Sequence, residues 1–320
     1  MRITIWRRHN LLSEFTMKRR YNDFNSYFRS IYGGRVHKIT VDAGFTCPNR
    51  DGTISTGGCI YCNEKGSGTG AFHKGLSITE QLERGRIRVS RRYKTDKFLA
   101  YFQSYTNTYA PIEVLKDVYD EALRFKGVVG LAAGTRPDCV DDPVLDLLET
   151  YTQDYLIWLE YGLQSVHDQT LSAINRGHDF ACFKKAVERT QGRGINICVH
   201  VILGLPGEDR EMMLETARIL ADMGIDGVKL HLLYVIKGTP LHNLYLKGNY
   251  QCLDENEYQG LVCDFIERLP AHVVIQRITG DPHPAELVAP LWALEKKRVV
   301  DGIHQVLEDR NTFQGRLVGR

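Results

Sequence analysis

The sequence predicts an α/β fold: a partial or near-complete (β/α) barrel with a short C-terminal extension. Three observations predict it. Seven short runs of apolar, β-branched or aromatic residues recur along the chain. Between them lie amphipathic stretches of helical period, the alternation that parallel strands with right-handed crossovers produce. Seven such units also exceed the usual five or six strands of a doubly wound sheet, which favours a barrel.

The runs are 36–41, 98–103, 128–133, 155–160, 196–203, 228–235 and 273–278. The helix candidates are 77–92, 111–125, 142–152, 180–191, 209–223 and 254–268. Pro111 and Pro143 sit where a first helical turn begins, a position that tolerates a missing N–H. Asp254 with Glu257 three residues on resembles a capping arrangement. The expected organisation is a basic segment over 1–35, a barrel over 36–290, and a helix with a tail over 291–320. In such folds ligands sit at the carboxyl ends of the strands, so the residues just after each run are the place to look for chemistry.

Composition narrows the classes. The 320 residues are 43% apolar and 25% charged, ordinary values for a globular protein. No apolar run approaches the roughly 18 residues of a membrane span, and residues 1–10 lack the apolar core of a secretory signal. The expected compartment is therefore the reducing cytoplasm, where eight cysteines are core residues, metal ligands or catalytic groups rather than a disulfide framework. The net charge of +2 hides two basic segments. Residues 1–35 hold eight basic and two acidic side chains, and residues 84–97 hold seven and one. Either suits contact with phosphates or a solvated helix face.

Three of the cysteines share one glycine-rich loop after the first run. Cys47, Cys59 and Cys62 have the spacing C-x11-C-x2-C, and Gly44, Gly52, Gly57, Gly58, Gly66, Gly68 and Gly70 surround them. Thiolates suit zinc or an iron–sulfur cluster. A structural zinc site closes with four ligands, and the fourth is absent locally, His73 being the nearest candidate. Three cysteines on a four-iron cluster leave one iron open to a cofactor or substrate.

With these residues in hand, the chain resembles the radical S-adenosylmethionine (SAM) superfamily. More narrowly it resembles the YhcC-type bacterial family, whose core is similar to the radical SAM domain of the elongator-type tRNA-modifying subunit. The stretches that carry the resemblance are VHKITVDAGFTCPNRDG, GGCIYC, GTRPDC, LEYGLQS, INRGHD, ILGLPGE, KLHLLYVIKGT and VVIQRITGD, in that order. The barrel is then expected to be of the radical SAM type. The resemblance implies a [4Fe-4S] cluster on Cys47, Cys59 and Cys62, with SAM on the open iron. It implies a 5′-deoxyadenosyl radical as the product of SAM cleavage, and a reduced donor of the flavodoxin or ferredoxin type.

It also implies the residues around SAM. Tyr61 matches the aromatic that lies against the adenine. Gln103 and Ser104 stand where the family often has Gly-Gly-Glu for the SAM amino group, a departure that leaves this contact open. Arg136, in Thr-Arg-Pro-Asp, is a candidate for the SAM carboxylate or a substrate phosphate, and Arg176 for the SAM carboxylate. Glu160 and Gln164, in E-x-G-x-Q-S, suit ribose hydroxyls or the SAM ammonium. Gly204 and Gly207 permit close backbone approach to the adenine and ribose. His200 is either inward, toward substrate, or outward. Lys229, Lys237 and Arg277 are candidates for positive charge at the barrel mouth. Cys139 reads as a small buried hydrophobe; Cys182, Cys198, Cys252 and Cys263 lack ligand spacing.

The expected activity is radical SAM chemistry, with a tRNA wobble uridine as the substrate the elongator-type core suggests. A small molecule, as in the oxygen-independent coproporphyrinogen oxidase group, is the alternative; a zinc-dependent RNA-binding module is a third. Only 42 residues follow Ile278, too few for the acetyltransferase domain of the elongator-type family. Tyr21, Phe24, Tyr27 and Phe28 interleave with the basic segment, suiting either base stacking or a packed amphipathic helix. No membrane partner is expected.

Overall fold

The computed structural model describes residues 20–64, 66 and 71–319. Residues 1–19 of the basic segment, Gly68, Gly70 and the side chain of His73 lie outside the described residues. The chain enters with α1 (Phe24–Tyr32), then β1 (His37–Val41), α2 (Ile78–Tyr93), β2 (Phe98–Phe102), α3 (Ile112–Arg124), β3 (Val128–Thr135), α4 (Asp142–Thr150) and β4 (Leu156–Gln164). It continues with α5 (Asp168–Ala173), α6 (Phe180–Thr190), β5 (Asn196–Leu203), α7 (Arg210–Asp222) and β6 (Gly227–Leu232). Then come β7 (Val235–Ile236), α8 (Pro240–Leu246), α9 (Glu255–Glu267), β8 (Val274–Arg277), β9 (Leu287–Ala289) and α10 (Lys296–Asp309).

Seven strands form one parallel sheet in the order β1-β2-β3-β4-β5-β6-β8. The order follows the chain and never reverses, so every right-handed crossover places its helix on the same face. A doubly wound sheet would reverse at a switch point. This is the partial (β/α) barrel the alternation predicts, with β1 and β8 as its edges. The outer face packs under the helices through residues such as Ile39, Phe102, Leu131, Leu159, Val199 and Leu230. The inner face has the alternate positions: Leu99, Tyr101, Ala132, Trp158 and Cys198.

Three predicted strands differ in extent, β3 by running two residues on to Thr135, where it pairs with Tyr161 of β4. β4 runs past Glu160 to Gln164, because its mouth end pairs with β5 through a register shift between Gly162 and Gln164. The run 228–235 breaks after Leu232. Val235–Ile236 leaves the barrel and pairs antiparallel with β9 instead.

α1 closes the amino end of the barrel. Asp23 caps it, its carboxylate accepting from the Asn25 and Ser26 N–H groups at 3.0 and 3.1 Å. Its aromatics face inward: Phe28 is 1% exposed, and Phe24 and Tyr27 meet Trp158 edge-on at ring centroids 5.8 and 5.6 Å apart. These rings form the floor of the barrel and are not presented for base stacking. The buried Gln314 ties the tail to this entry: the Asn22 N–H donates to its Oε1 at 2.8 Å, and its Nε2 donates to Pro270 and Val273 carbonyls.

α2 returns the chain from the carboxyl end of β1 to the amino end of β2. Arg91, Arg92, Lys94 and Lys97 therefore lie at the floor end of the sheet, away from the cysteine loop. No helix among the described residues is long and apolar enough to cross a membrane.

Candidate functional site

The cysteine loop leaves β1 at the carboxyl end of the sheet, as sequence position implies. Residues 48–58 fold back on themselves: the Ile54 N–H donates to the Pro48 carbonyl at 2.8 Å and the Gly58 N–H to the Asn49 carbonyl at 2.7 Å. This excursion closes the eleven-residue gap and returns the chain at Gly58 to Asn49, two residues past Cys47. The Cys62 N–H then donates to the Cys59 carbonyl at 3.0 Å, turning the C-x2-C segment. Arg50 clamps its exit, Nη2 donating to the carbonyls of Cys62 and Asn63 at 2.9 and 2.7 Å.

The loop is anchored to the segment after α5. The Asn49 Nδ2 donates to the Asn175 carbonyl at 2.6 Å, the Asn175 Nδ2 donates to the Gly58 carbonyl at 2.7 Å, and the Ile60 N–H donates to the Ile174 carbonyl at 3.1 Å. Arg176 Nη1 lies 3.6 Å from Cys59 Sγ, and Asn49 Nδ2 lies 3.7 Å from it. Burial, with repulsion from Cys59 and Cys47, pushes the Cys62 thiol up to about 11 against the pull of Arg50. A thiol in that condition ionises when a metal takes the proton's place.

The spread of the three sulfurs separates the metals they can hold. Thiolates on one zinc ion at about 2.3 Å stand roughly 3.8 Å apart. Among the described residues the one set of three potential ligand atoms all within 4.8 Å is Glu160, Cys198 and His200, so at least one pair of the loop sulfurs stands farther apart than that. A pair wider than one zinc ion allows suits separate irons of one cluster. Buried polar atoms on the loop, Asn49 Oδ1 and Arg50 Nε, have no hydrogen-bond partner among the described residues, nor have Ser104 Oγ at the end of β2 and His178 Nε2 after Arg176. Buried polar groups in that condition are what a polar cofactor satisfies. The residues present thus fit a cluster with a polar ligand beside it.

The other expected residues divide. Tyr61 is close to the cysteines, and burial and then Cys59 hold its hydroxyl well above the usual range. Ser104 is 1% exposed at the end of β2, beside Gln103. Gln164 ends β4 with φ of 81°, a left-handed conformation that turns its side chain toward Gly162 and Arg176. Gly204 and Gly207 both need positive φ, 88° and 81°. Gly204 is covered by Leu253 and its carbonyl accepts from the Tyr250 hydroxyl at 2.9 Å, whereas Gly207 faces open space.

Three expected SAM contacts have other partners. Arg136 forms a two-pronged pair with its neighbour Asp138, at 2.9 and 2.6 Å, and donates to the Arg176 carbonyl at 2.8 Å. Arg176 donates through Nε to the Gly162 carbonyl at 3.1 Å besides approaching Cys59. Both guanidiniums are buried, and each bonds within the protein through all three of its nitrogens, which leaves two of its five N–H donors for a further partner. Glu160 lies deeper, inside the barrel and fully buried. Lys38 donates to it at 2.8 Å, His200 Nε2 lies 3.0 Å away, and Lys229 is in direct contact. Burial alone raises its carboxyl, but Lys229 and Lys38 outweigh this and hold it well below the usual range.

Of the three basic candidates for the mouth, Lys229 is inside the barrel at 3% exposure and also donates to the Tyr101 hydroxyl at 3.0 Å. Arg277 stands opposite it on β8, and Lys237 is exposed outside. His200 is inward. Cys139 is half-buried rather than buried, its Sγ 3.8 Å from Asp138 Oδ1. Residues that sequence reading missed are Asn49, Arg50 and Asn175, which shape the loop, and Lys38 and Tyr101, which complete the inner layer. Lys38 and Tyr101 carry a signal: polar residues at alternate positions of strands, on the face without helices.

Comparison with known proteins agrees with this geometry. The profile of the Radical SAM superfamily matches residues 50–220, and that of the radical SAM C-terminal domain matches residues 225–309. The chain belongs to the radical SAM superfamily. It is accordingly a radical SAM enzyme, with a [4Fe-4S] cluster and S-adenosylmethionine as its cofactors. Within the superfamily it is 41% identical to YtqA of Bacillus subtilis, over 95% of this chain and 94% of that protein. It is 40% identical to YhcC of Escherichia coli, over 93% of this chain and 96% of that one. A tRNA uridine(34) acetyltransferase of Dehalococcoides mccartyi is 28% identical over 57% of this chain, which spans 39% of that protein. A solved structure of Methanocaldococcus infernus Elp3 matches 87% of this chain and 64% of its own length with a TM-score of 0.68, at 18% identity, a likeness of fold.

Proposed function

We propose that Cys47, Cys59 and Cys62 hold the cluster and that SAM lies at the mouth of the barrel against Tyr61, Gln103, Ser104, Gln164, Gly204 and Gly207. The observation that carries this is the set of three cysteines on one loop at the carboxyl ends of the strands, not all within 4.8 Å of one another, with buried polar atoms on that loop that lack partners. When bound, the two cofactors supply a 5′-deoxyadenosyl radical that takes a hydrogen atom from the substrate. Arg176 and Arg136 act as positioning residues. Arg176 places positive charge on the Cys59 thiolate and ties it to the β4 end. Arg136, held by Asp138, fixes the Arg176 backbone. Cys59 is buried and Cys47 and Cys62 are half-buried, which limits the access of water to the cluster. A small flavodoxin- or ferredoxin-type protein is the electron source this reading requires.

The substrate reading supported by the tRNA uridine(34) acetyltransferase likeness is a wobble uridine in tRNA. A second reading, a small molecule, is favoured by the placement of the basic end of α2 at the floor rather than the mouth. Iron content after anaerobic reconstitution tests the cysteine assignment. Cys47→Ala, Cys59→Ala and Cys62→Ala are each expected to lose the cluster, and Cys252→Ala and Cys263→Ala to keep it. Retention of full iron by any of the first three overturns the assignment. Nucleosides in tRNA from cells with and without the gene test the substrate: the tRNA reading expects one modified uridine to disappear, and an unchanged profile contradicts it.

A further inference from the structure

The polar layer inside the barrel is unbalanced in charge. Lys38, Lys229 and Arg277 project inward with one carboxylate, Glu160, among them. The register of β8 shifts so that Gln276 is an extra residue and Arg277 faces Lys229 across the sheet. A bulge of this kind re-aims side chains, and here it turns both Gln276 and Arg277 to the inner face. Lys38 Nζ donates to Gln276 Oε1 at 2.8 Å, bridging the two edge strands.

Glu160 is fully committed. Lys38, Lys229 and His200 all contact it. Arg277 has neither an ion pair nor a side-chain hydrogen bond among the described residues. Two neighbouring nitrogens, Gln276 Nε2 and His231 Nε2, are buried and also lack a partner there. The His231 ring lies 5.2 Å from that of His200, centroid to centroid. The layer is closed below by the aromatic floor, where Phe24 and Tyr101 cover Lys38 at 4.6 and 4.5 Å. Solvent reaches the layer in part: the Lys38 and His200 side chains are 20% and 17% exposed. Glu160, Cys198 and His200 come close enough to share a metal ion, but two ammonium groups on Glu160 repel a dication, so the layer suits an anion.

We infer that this layer is a substrate subsite for an anionic group, a phosphate or a carboxylate, held by Arg277 with Gln276 and His231 beside it and Lys38 and Lys229 supplying the field. A guanidinium takes such groups in a two-pronged manner, and an uncompensated inward cation costs stability unless a ligand pairs it. The inference rests on the proposed function, since it takes the barrel interior to be the substrate chamber below SAM.

The test is calorimetric titration of the anaerobic holoenzyme with inorganic phosphate, uridine 5′-monophosphate, uridine and succinate, in the presence of saturating SAM. One saturable site per chain is expected for an anion. Arg277→Gln is expected to weaken it at least tenfold and Arg277→Lys by less, while Lys297→Gln, on the exposed face of α10, leaves it unchanged. Uridine 5′-monophosphate binding at least tenfold tighter than uridine and succinate assigns a nucleotide phosphate. Succinate binding tighter than both assigns a small carboxylic acid. No saturable anion binding, equal binding by folded Arg277→Gln, or binding seen only when SAM is left out each overturns the inference, the last because the anion would then occupy the SAM carboxylate position. Release of 5′-deoxyadenosine from the same preparations keeps the parent reading separate. A preparation that cleaves SAM but binds no anion contradicts the subsite alone, and one that cleaves no SAM contradicts the proposed function.

Discussion

At the scale of single residues the barrel interior is a set of charge compromises. Burial, with Lys229 nearby, pulls His200 down to about 4 despite Glu160, and burial with Arg277 holds His231 well below its ordinary value. Both are neutral in the folded protein at pH 7. In the unfolded chain a histidine takes up a proton near pH 6.5, whereas folded His200 does so near 4. Between these values the unfolded state binds more protons, so the stability present above pH 6.5 is lost as pH falls toward 4. For His200 the loss approaches about 3 kcal/mol at full range. Urea unfolding at pH 7 and pH 5 checks this. His200→Gln is expected to show a smaller drop between the two pH values than the parent, and an equal drop contradicts the assignment. Burial lowers Lys38 to about 8, with Glu160 resisting, so Lys38 still carries its charge at neutral pH.

The residue scale is also where sequence reading was least complete. Spacing picked out Cys47, Cys59 and Cys62 because ligands recur within one loop. It could not assign Arg136, Arg176 and Glu160 to their partners, because a charged residue in a motif is equally suited to a cofactor or to a neighbour. Asp138 lies two residues from Arg136, near enough to pair with it locally, while the contacts of Glu160 with Lys38 and Lys229 join strands far apart in sequence.

At the scale of elements, α1 has the clearest role. Its sequence mixes basic residues with aromatics, which alone permits base stacking. The structure turns the aromatics onto Trp158 and uses them to close the barrel floor. Phe28→Ala removes a ring that is 1% exposed, and is expected to cost about 3–5 kcal/mol by cavity formation. Phe313→Ala, at a ring 49% exposed, is expected to change stability by less than about 0.5 kcal/mol. Chemical denaturation of the two variants measures the contrast; a tolerant Phe28 would mean that the floor is not packed as described. The short elements α5, β7 and β9 escaped the periodicity reading, since fewer than two turns of helix or two to three residues of strand repeat no pattern. The long amphipathic helices α2, α3, α6, α7 and α9 were legible to within two residues at each end.

At the scale of the whole molecule, chain-ordered strands put every crossover helix outside and leave the inner face for chemistry. That follows from connectivity, and the alternation of runs and helices was enough to read it. The location of the mouth follows as well, because the cysteine loop, the β4 end and the glycine turns all leave the carboxyl ends of their strands. The polar layer inside the barrel was less legible. Its composition depends on a one-residue bulge in β8 that no sequence period announces.

The central claim is that the cysteine triangle holds a cluster whose fourth iron receives SAM. Anaerobic reconstitution followed by reduction with SAM tests it most directly. The account predicts about four iron and four sulfide per chain in the parent protein, with release of 5′-deoxyadenosine and methionine that Cys47→Ala abolishes. One tightly held zinc ion per chain, with SAM left intact, would contradict it.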